Sequence, residues 1–334
     1  MRKTMLVAAL AAASISLAGC GTASTSPAGT EGDSSVEVGI VQLPIFAPIY
    51  VAKAKGYFED EGLNVNLQTV KSGSDAVPLA SSGKLDVVAA GFSAGMFSAI
   101  KSGLNIKITG SMGVSDGNTE ASPTDLVVSK AAYDAGSITS VADLKGKNVG
   151  AAGGTGGAGA YLLSLALKDA GLSLNDVKVV NLGNPDMPTA ISNGGLDAGL
   201  ISAPFSSVAL KEGVGVSLGV PPAGTSGTGV IFGDQFAETD KAQKFFNAIA
   251  KASKDLQGEN RYSDENLKII AGATGQTPEE VKAVPLYTWL PDLKPLPEQL
   301  ADMESVWMQA GALEYDQPLP QDTYIDTSFA ENVK

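Results

Sequence analysis

Two stretches of this chain repeat one pattern 111 residues apart. Residues 71–95 read KSGSDAVPLASSGKLDVVAAGFSAG, and residues 182–205 read LGNPDMPTAISNGGLDAGLISAPF. At that offset Asp75 meets Asp186, Ser81 meets Ser192, Gly83 meets Gly194, Leu85 meets Leu196 and Asp86 meets Asp197. Upstream, the same shift carries Val38 and Gly39 onto Val149 and Gly150, Tyr50 onto Tyr161 and Leu63 onto Leu174. Each copy has a strand end, a capped helix, a tight turn and a short apolar strand. The period is too long for a solenoid, whose units run to about 20–50 residues. It predicts two similar α/β lobes in one chain, with a cleft between them.

The 334 residues suit about two domains, and 44% hydrophobic with 18% charged residues leaves ample material for a core. The beginning of the chain reads as a targeting segment. Arg2 and Lys3 precede an apolar run over 5–15, and Leu17-Ala18-Gly19-Cys20 follows. Two small residues before the only cysteine of the chain resemble a bacterial lipobox, so residues 1–19 are expected to be removed and Cys20 to carry lipid. The alternative is an ordinary secretory signal followed by a free thiol. Residues 21–35 lack apolar periodicity and read as a flexible tether. Loss of Arg2 and Lys3 leaves 21 basic against 36 acidic residues, moving the net charge from −13 to −15. No basic stripe exists to neutralise phosphates, so no nucleic-acid partner is expected. No later segment reaches the roughly 18 apolar residues of a membrane span. The expected location is extracytoplasmic, held to the bacterial cell membrane by lipid.

Strand and helix patterns alternate from residue 36 onward, which predicts mostly parallel sheets. Strands are expected over 36–42, 64–70, 87–90 and 106–112, with a first lobe over 36–123. The polar, turn-rich stretch 113–123 marks its edge, and 126–129 reads as a strand crossing between lobes. A second lobe over 124–215 would hold strands at 149–152, 177–182 and 198–201. Returning strands at 216–222 and 228–232, then helices at 241–257, 264–273, 278–283 and 297–310, take residues 216–334 back to the first lobe. Ser72 or Ser74 can cap the helix that follows, with Asp75 in its first turn, where the helix dipole favours an acid.

Two motifs point toward catalysis or nucleotides. Gly91-Phe92-Ser93-Ala94-Gly95 matches the G-x-S-x-G of a hydrolase nucleophile elbow, between a strand and a helix. The chain has no histidine, so a Ser-His-Asp relay cannot form. A Ser-Lys hydrolase stays open beside the simpler reading, in which Ser93 caps the helix. Gly154-Thr155-Gly156-Gly157-Ala158-Gly159 matches G-x-G-x-x-G, but the next strand ends Val180-Asn181-Leu182 without the acid that would hold a ribose. The loop is left either as a tight turn or as bare N–H groups that can hold a polar ligand. With no histidine and one cysteine, no metal site and no cofactor are expected.

Residues 49–65, IYVAKAKGYFEDEGLNV, with Ser82-Gly83-Lys84-Leu85-Asp86 and the run VADLKGKNV at 141–149, resemble the solute-binding proteins of bacterial ABC importers. The resemblance is to the group serving aliphatic sulfonates, taurine, nitrate and thiamine-precursor pyrimidines, and it runs from about Val36 to Phe205. It implies a two-lobed periplasmic-binding-protein-like fold (type II) with mostly parallel sheets, working as a monomer beside a permease and its ATPase. It implies no enzyme activity. Ligands of such folds bind outside the carboxyl ends of strands. The loops there supply Gln42, Pro44, Phe46, Ser72, Ser74, Phe92 and Ser93 from the first lobe. The second supplies Thr155, Gly156, Gly157, Asn184 and Phe205. Arg261 is the one arginine left after residue 19, so an anion would depend on it, on Lys71 or on helix N-termini. The solute is expected to be a small organic molecule or oxyanion of the sulfonate, taurine or nitrate kind, or a neutral pyrimidine.

Overall fold

Val87 to Ala90 shows how the first lobe is built. Its four side chains are all buried, Val87 and Ala89 joining one core and Val88 and Ala90 another. Successive strand residues point to opposite faces, so a wholly apolar strand needs cover on both. The computed structural model describes residues 34–333; the expected signal segment, Cys20 and most of the tether lie outside the described residues.

In chain order the first half comprises β1 (Ser35–Ile40), α1 (Ala47–Ala54), β2 (Asn64–Thr69), α2 (Gly73–Ser81), β3 (Val87–Gly91), α3 (Ala94–Lys101) and β4 (Ile106–Ser111). Strand β5 (Thr124–Ser129) follows. The second half repeats the series as β6 (Asn148–Ala151), α4 (Ala158–Asp169), β7 (Lys178–Asn181), α5 (Met187–Ser192), β8 (Ala198–Ser202), α6 (Phe205–Lys211) and β9 (Gly215–Gly219), followed by β10 (Thr228–Gly233). A shift of 111 residues carries the first residues of α1, β3 and α3 onto those of α4, β8 and α6. The C-terminal part adds α7 (Asp240–Asp255), α8 (Asp264–Thr274) and α9 (Pro297–Gln309).

The sheets run β2-β1-β3-β10-β4 and β7-β6-β8-β5-β9. In the first, β1 pairs parallel with β2 and β3, while β10 is antiparallel to β3 and β4. In the second, β5 takes the same place, antiparallel to β8 and β9. Each half therefore sends its last strand into the other's sheet. The strand expected to lead back from 216 does not do so. It is β9, paired with β5, and the second sheet keeps the chain through Gly219. The return is made by β10 alone.

The repeat extends to single bonds. The Glu37 N–H donates to the Asp86 carboxylate at 2.8 Å, and the Asn148 N–H donates to the Asp197 carboxylate at 2.9 Å. Each aspartate, just before β3 or β8, thus ties the start of the neighbouring strand, β1 or β6. A Cβ on Gly39 would lie 2.7 Å from Leu85, and one on Gly150 would lie 2.7 Å from Leu196, so β1 and β6 both need glycine where the leucine of the following helix-to-strand turn crosses them. Helices α1 and α7 cover one face of the first sheet, and α2, α3 and α9 the other. In the second lobe α4 covers one face, α5 and α6 the other. Tyr161 of α4 is an exception: it packs with Trp307 and Met303 of α9 in a first-lobe core, joining the two lobes. Among the described residues no helix is long and apolar enough to cross a membrane.

Candidate functional site

The loops at the carboxyl ends of β1, β3, β6 and β8 face one another. Between them lies a cavity of about 660 Å³, within the size range of small-molecule sites. The first lobe contributes the turn after β1, the N-terminus of α2 and the turn after β3. The second contributes the N-terminus of α4, the loop after β7 and the start of α6. The two connections between lobes close the back of the cavity.

Of the expected residues, Gln42, Pro44, Phe46, Ser72, Phe92, Ser93, Gly157, Asn184 and Phe205 line this cavity. Several are already engaged by the fold. Gln42 donates its amide to the Ala273 carbonyl at 2.7 Å. Ser72 caps α2, accepting the Asp75 N–H at 3.3 Å and donating to the Asp75 carboxylate at 2.9 Å. Ser93 caps α3 by accepting the Met96 N–H at 3.3 Å. Asn184 accepts the Ser202 N–H at 2.9 Å. Phe46 and Phe92 are only 1% and 4% exposed, so they back the wall from the core, and Phe205 is the more open ring.

Thr155 and Gly156 do not line the cavity. After β6 the chain passes Gly153 and Gly154 at φ of 84° and 64°, left-handed values that glycine tolerates. It then makes a short 3-10 turn. That turn sets Gly156 on the seam between lobes, where a Cβ would lie 3.0 Å from that of Ala94 and 3.6 Å from that of Ala312. Ser74 lies in the first turn of α2, its side chain outside what the structure describes. Arg261 also lies away from the cavity, against the Tyr262 ring at 5.3 Å.

Charge in the cavity is sparse. Lys71 lines it, and no aspartate or glutamate does among the described residues. Helices α2, α3 and α4 begin at Ser72, Ser93 and Gly157, all at its wall. Their N–H-rich ends and the lysine make the site mildly electropositive. Sequence reasoning missed Thr124, Ser202 and Tyr287, which also line it. Thr124 opens β5 and pairs with Ser202 across the sheet. Tyr287 comes from the C-terminal part, which has no counterpart in the repeat. Its hydroxyl lies 2.8 Å from the Thr124 hydroxyl, and burial pushes its pKa up, so it stays protonated.

Two lobes closing over such a cavity define a periplasmic-binding-protein fold, and comparison with solved structures agrees. The alkanesulfonate-binding protein SsuA from Xanthomonas axonopodis pv. citri, bound to MOPS, superposes with a TM-score of 0.67 at 19% identity, covering 88% of this chain and 98% of that one. The periplasmic nitrate-binding protein NrtA from Synechocystis PCC 6803 gives 0.68 at 14% identity, covering 90% and 86%. At these identities the likeness is one of fold. The family model described as NMT1/THI5 like matches residues 44–259, more than half of the chain, and the chain belongs to that family.

Two curated relatives bear names from pyrimidine chemistry. The 4-amino-5-hydroxymethyl-2-methylpyrimidine phosphate synthase of Aspergillus parasiticus is 33% identical over 170 residues, 51% of this chain and 45% of that protein. A putative thiamine biosynthesis protein of Haemophilus influenzae is 29% identical over 226 residues, 64% of this chain and 66% of that protein. The matches thus span less than two thirds of either relative.

Proposed function

We propose that the protein is the substrate-binding component of an ABC import system. It captures one small organic solute between its lobes and delivers it to a membrane permease coupled to an ATPase. On this reading it is a monomer, held outside the cytoplasm by lipid on Cys20. The observation that supports it best is the cavity itself: both lobes feed it, and both do so with strand ends and helix starts.

Size and polarity favour a ring-bearing solute. A nitrate ion, little larger than a water molecule, would fill a small part of about 660 Å³. The walls are mainly apolar and hydroxyl-bearing, with one lysine. A pyrimidine of the kind named in the Aspergillus relative suits such a lining. An alkanesulfonate is the second reading, favoured by Lys71 and the three helix N-termini.

Capture rather than turnover fits the serine of the G-x-S-x-G motif, which holds a helix start, and the lack of any histidine to activate it. Thermal melting in the presence of 4-amino-5-hydroxymethyl-2-methylpyrimidine, alkanesulfonates, taurine and nitrate tests the proposal. A ligand at 100 times its dissociation constant adds about 2.7 kcal/mol, a shift of a few degrees. A shift with none of them would count against the reading.

A further inference from the structure

The back wall of the cavity holds three hydroxyls whose hydrogen-bonding capacity is not used up. Tyr287 and Thr124 are 2.8 Å apart, oxygen to oxygen, a full-strength bond. The Tyr287 hydroxyl is also hydrogen-bonded to the Ser202 side chain, and the remaining contacts are long. Thr124 Oγ1 and Ser202 Oγ are 3.5 Å apart, and the Tyr287 hydroxyl is 3.4 Å from the Pro123 carbonyl. Each hydroxyl carries one hydrogen and two lone pairs. The Tyr287–Thr124 and Tyr287–Ser202 bonds commit two of the three hydrogens, and the third is held at best weakly. The trio therefore offers both donors and acceptors to anything that enters, and all three residues line the cavity.

The placement of Tyr287 ties it to the first lobe and its connection. A Cβ on Gly113 would come within 2.9 Å of Tyr287 Cγ and 2.2 Å of Ile45 Cγ1, so glycine in the connecting segment makes room for the ring. The next residue is locked to the same segment: the Val114 N–H donates to the Thr288 carbonyl at 2.8 Å, and the Thr288 hydroxyl donates to the Val114 carbonyl at 2.8 Å. The Trp289 indole donates to the Ile45 carbonyl at 2.9 Å. Ser202, by contrast, ends β8 of the second lobe and is bound to Asn184 there. Thr124 stands between them at the first residue of the crossing strand.

We propose that Tyr287, Thr124 and Ser202 are specificity-determining residues that hydrogen-bond the polar edge of the captured solute, and that Tyr287 couples the solute to the connection between the lobes. This rests on the receptor reading given above. A solute with adjacent donor and acceptor atoms bonds Tyr287 on one lobe and Ser202 on the other, so that its binding favours the closed form. A solute that is apolar throughout leaves the trio unpaired.

The test is titration calorimetry of the full chain in detergent. Wild type, Tyr287→Phe and Ser202→Ala are each titrated with 4-amino-5-hydroxymethyl-2-methylpyrimidine, hexanesulfonate, taurine and nitrate. Phenylalanine keeps the ring packing and removes only the hydroxyl. Each variant is expected to bind the solute recognised by wild type about five- to tenfold more weakly, one hydrogen bond's worth, with an unchanged melting temperature for the ligand-free Ser202→Ala protein. If wild type binds a solute and both variants bind it equally well, this inference is wrong and the receptor reading stands. If wild type binds none of the four, the receptor reading fails and this inference with it. Should Tyr287→Phe not fold, Ser202→Ala decides, since it leaves the Tyr287 ring packing and the Tyr287–Thr124 bond in place.

Discussion

Ser93 of the first lobe and Gly157 of the second form an antiparallel β-bridge across the cleft. Each stands at the N-cap of a helix at the cavity wall, Ser93 before α3 and Gly157 before α4. Next to them Gly156 faces Ala94, where an added Cβ would come within 3.0 Å of the alanine's, tighter than ordinary contact. The lobes meet where these small residues permit backbone-to-backbone approach.

Gly156→Val is expected to hold the lobes apart. Gly156 has no left-handed φ, so the cost falls on the seam, not on the turn. Solute affinity should fall by about tenfold or more, with a larger radius of gyration by solution scattering at saturating solute. An unchanged radius and affinity would show that the seam does not control closure.

Asp86→Ala and Asp197→Ala should cost alike. Each removes the carboxylate that receives an N–H of β1 or β6 at 2.8–2.9 Å. The loss of a partner for a partly buried donor is worth about 1–3 kcal/mol. Denaturant midpoints of both variants should drop together. A neutral result for one of them would break the equivalence of the lobes at this position.

Asp125, on β5, is 4% exposed. Burial raises its pKa to about 6, against the lowering pull of the Ser217 and Ser206 hydroxyls. In the unfolded chain the same carboxyl titrates near pH 3.9, roughly two units lower. The folded state therefore holds the proton longer than the unfolded state. The contribution is complete below about pH 4 and is lost as pH rises to about 6, amounting to roughly 3 kcal/mol. Asp125→Asn should be more stable than wild type at pH 7.5, with the difference vanishing below about pH 4. Asp143, Asp176 and Glu280 act in the opposite sense. Backbone N–H groups lower their pKa values, so their contribution is present at neutral pH and is lost as pH falls. Comparing the two proteins over the pH range isolates Asp125.

Ser93→Ala removes a helix cap worth about 1 kcal/mol and should lower the melting temperature slightly. Hydrolysis of small esters should be absent in wild type and variant alike. Turnover in wild type that the substitution abolishes would make Ser93 a nucleophile.

The architecture was readable where the sequence repeats itself. Asp86 with Asp197, Gly39 with Gly150, and the apolar run at 87–90 each have one physical job, and they recur at one spacing. The Ser72 and Ser93 caps were legible because serine before a helix has a local use. The exchange of β5 and β10 was only half visible, because the partner of a crossing strand lies far along the chain. Val216 and Leu218 look like any strand, and nothing local says that β9 stays in the second sheet. The cavity was harder still. Thr155 and Gly156 sit in a loop of the expected kind, yet neither lines the cavity, and the turn at Gly153 and Gly154 sets Gly156 on the seam. Tyr287 is separated by more than 160 residues from the Thr124 hydroxyl it meets. It has no motif and no counterpart in the repeat.

The central claim is that the cavity takes up a small solute, and calorimetric titration of the full chain with 4-amino-5-hydroxymethyl-2-methylpyrimidine tests it most directly, with hexanesulfonate as the comparison. The account predicts saturable binding of one molecule per chain, with the pyrimidine preferred. Binding of hexanesulfonate alone would move the assignment to anionic solutes held by Lys71 and the helix starts. No heat of binding with either, for a chain that melts cooperatively, would contradict the claim.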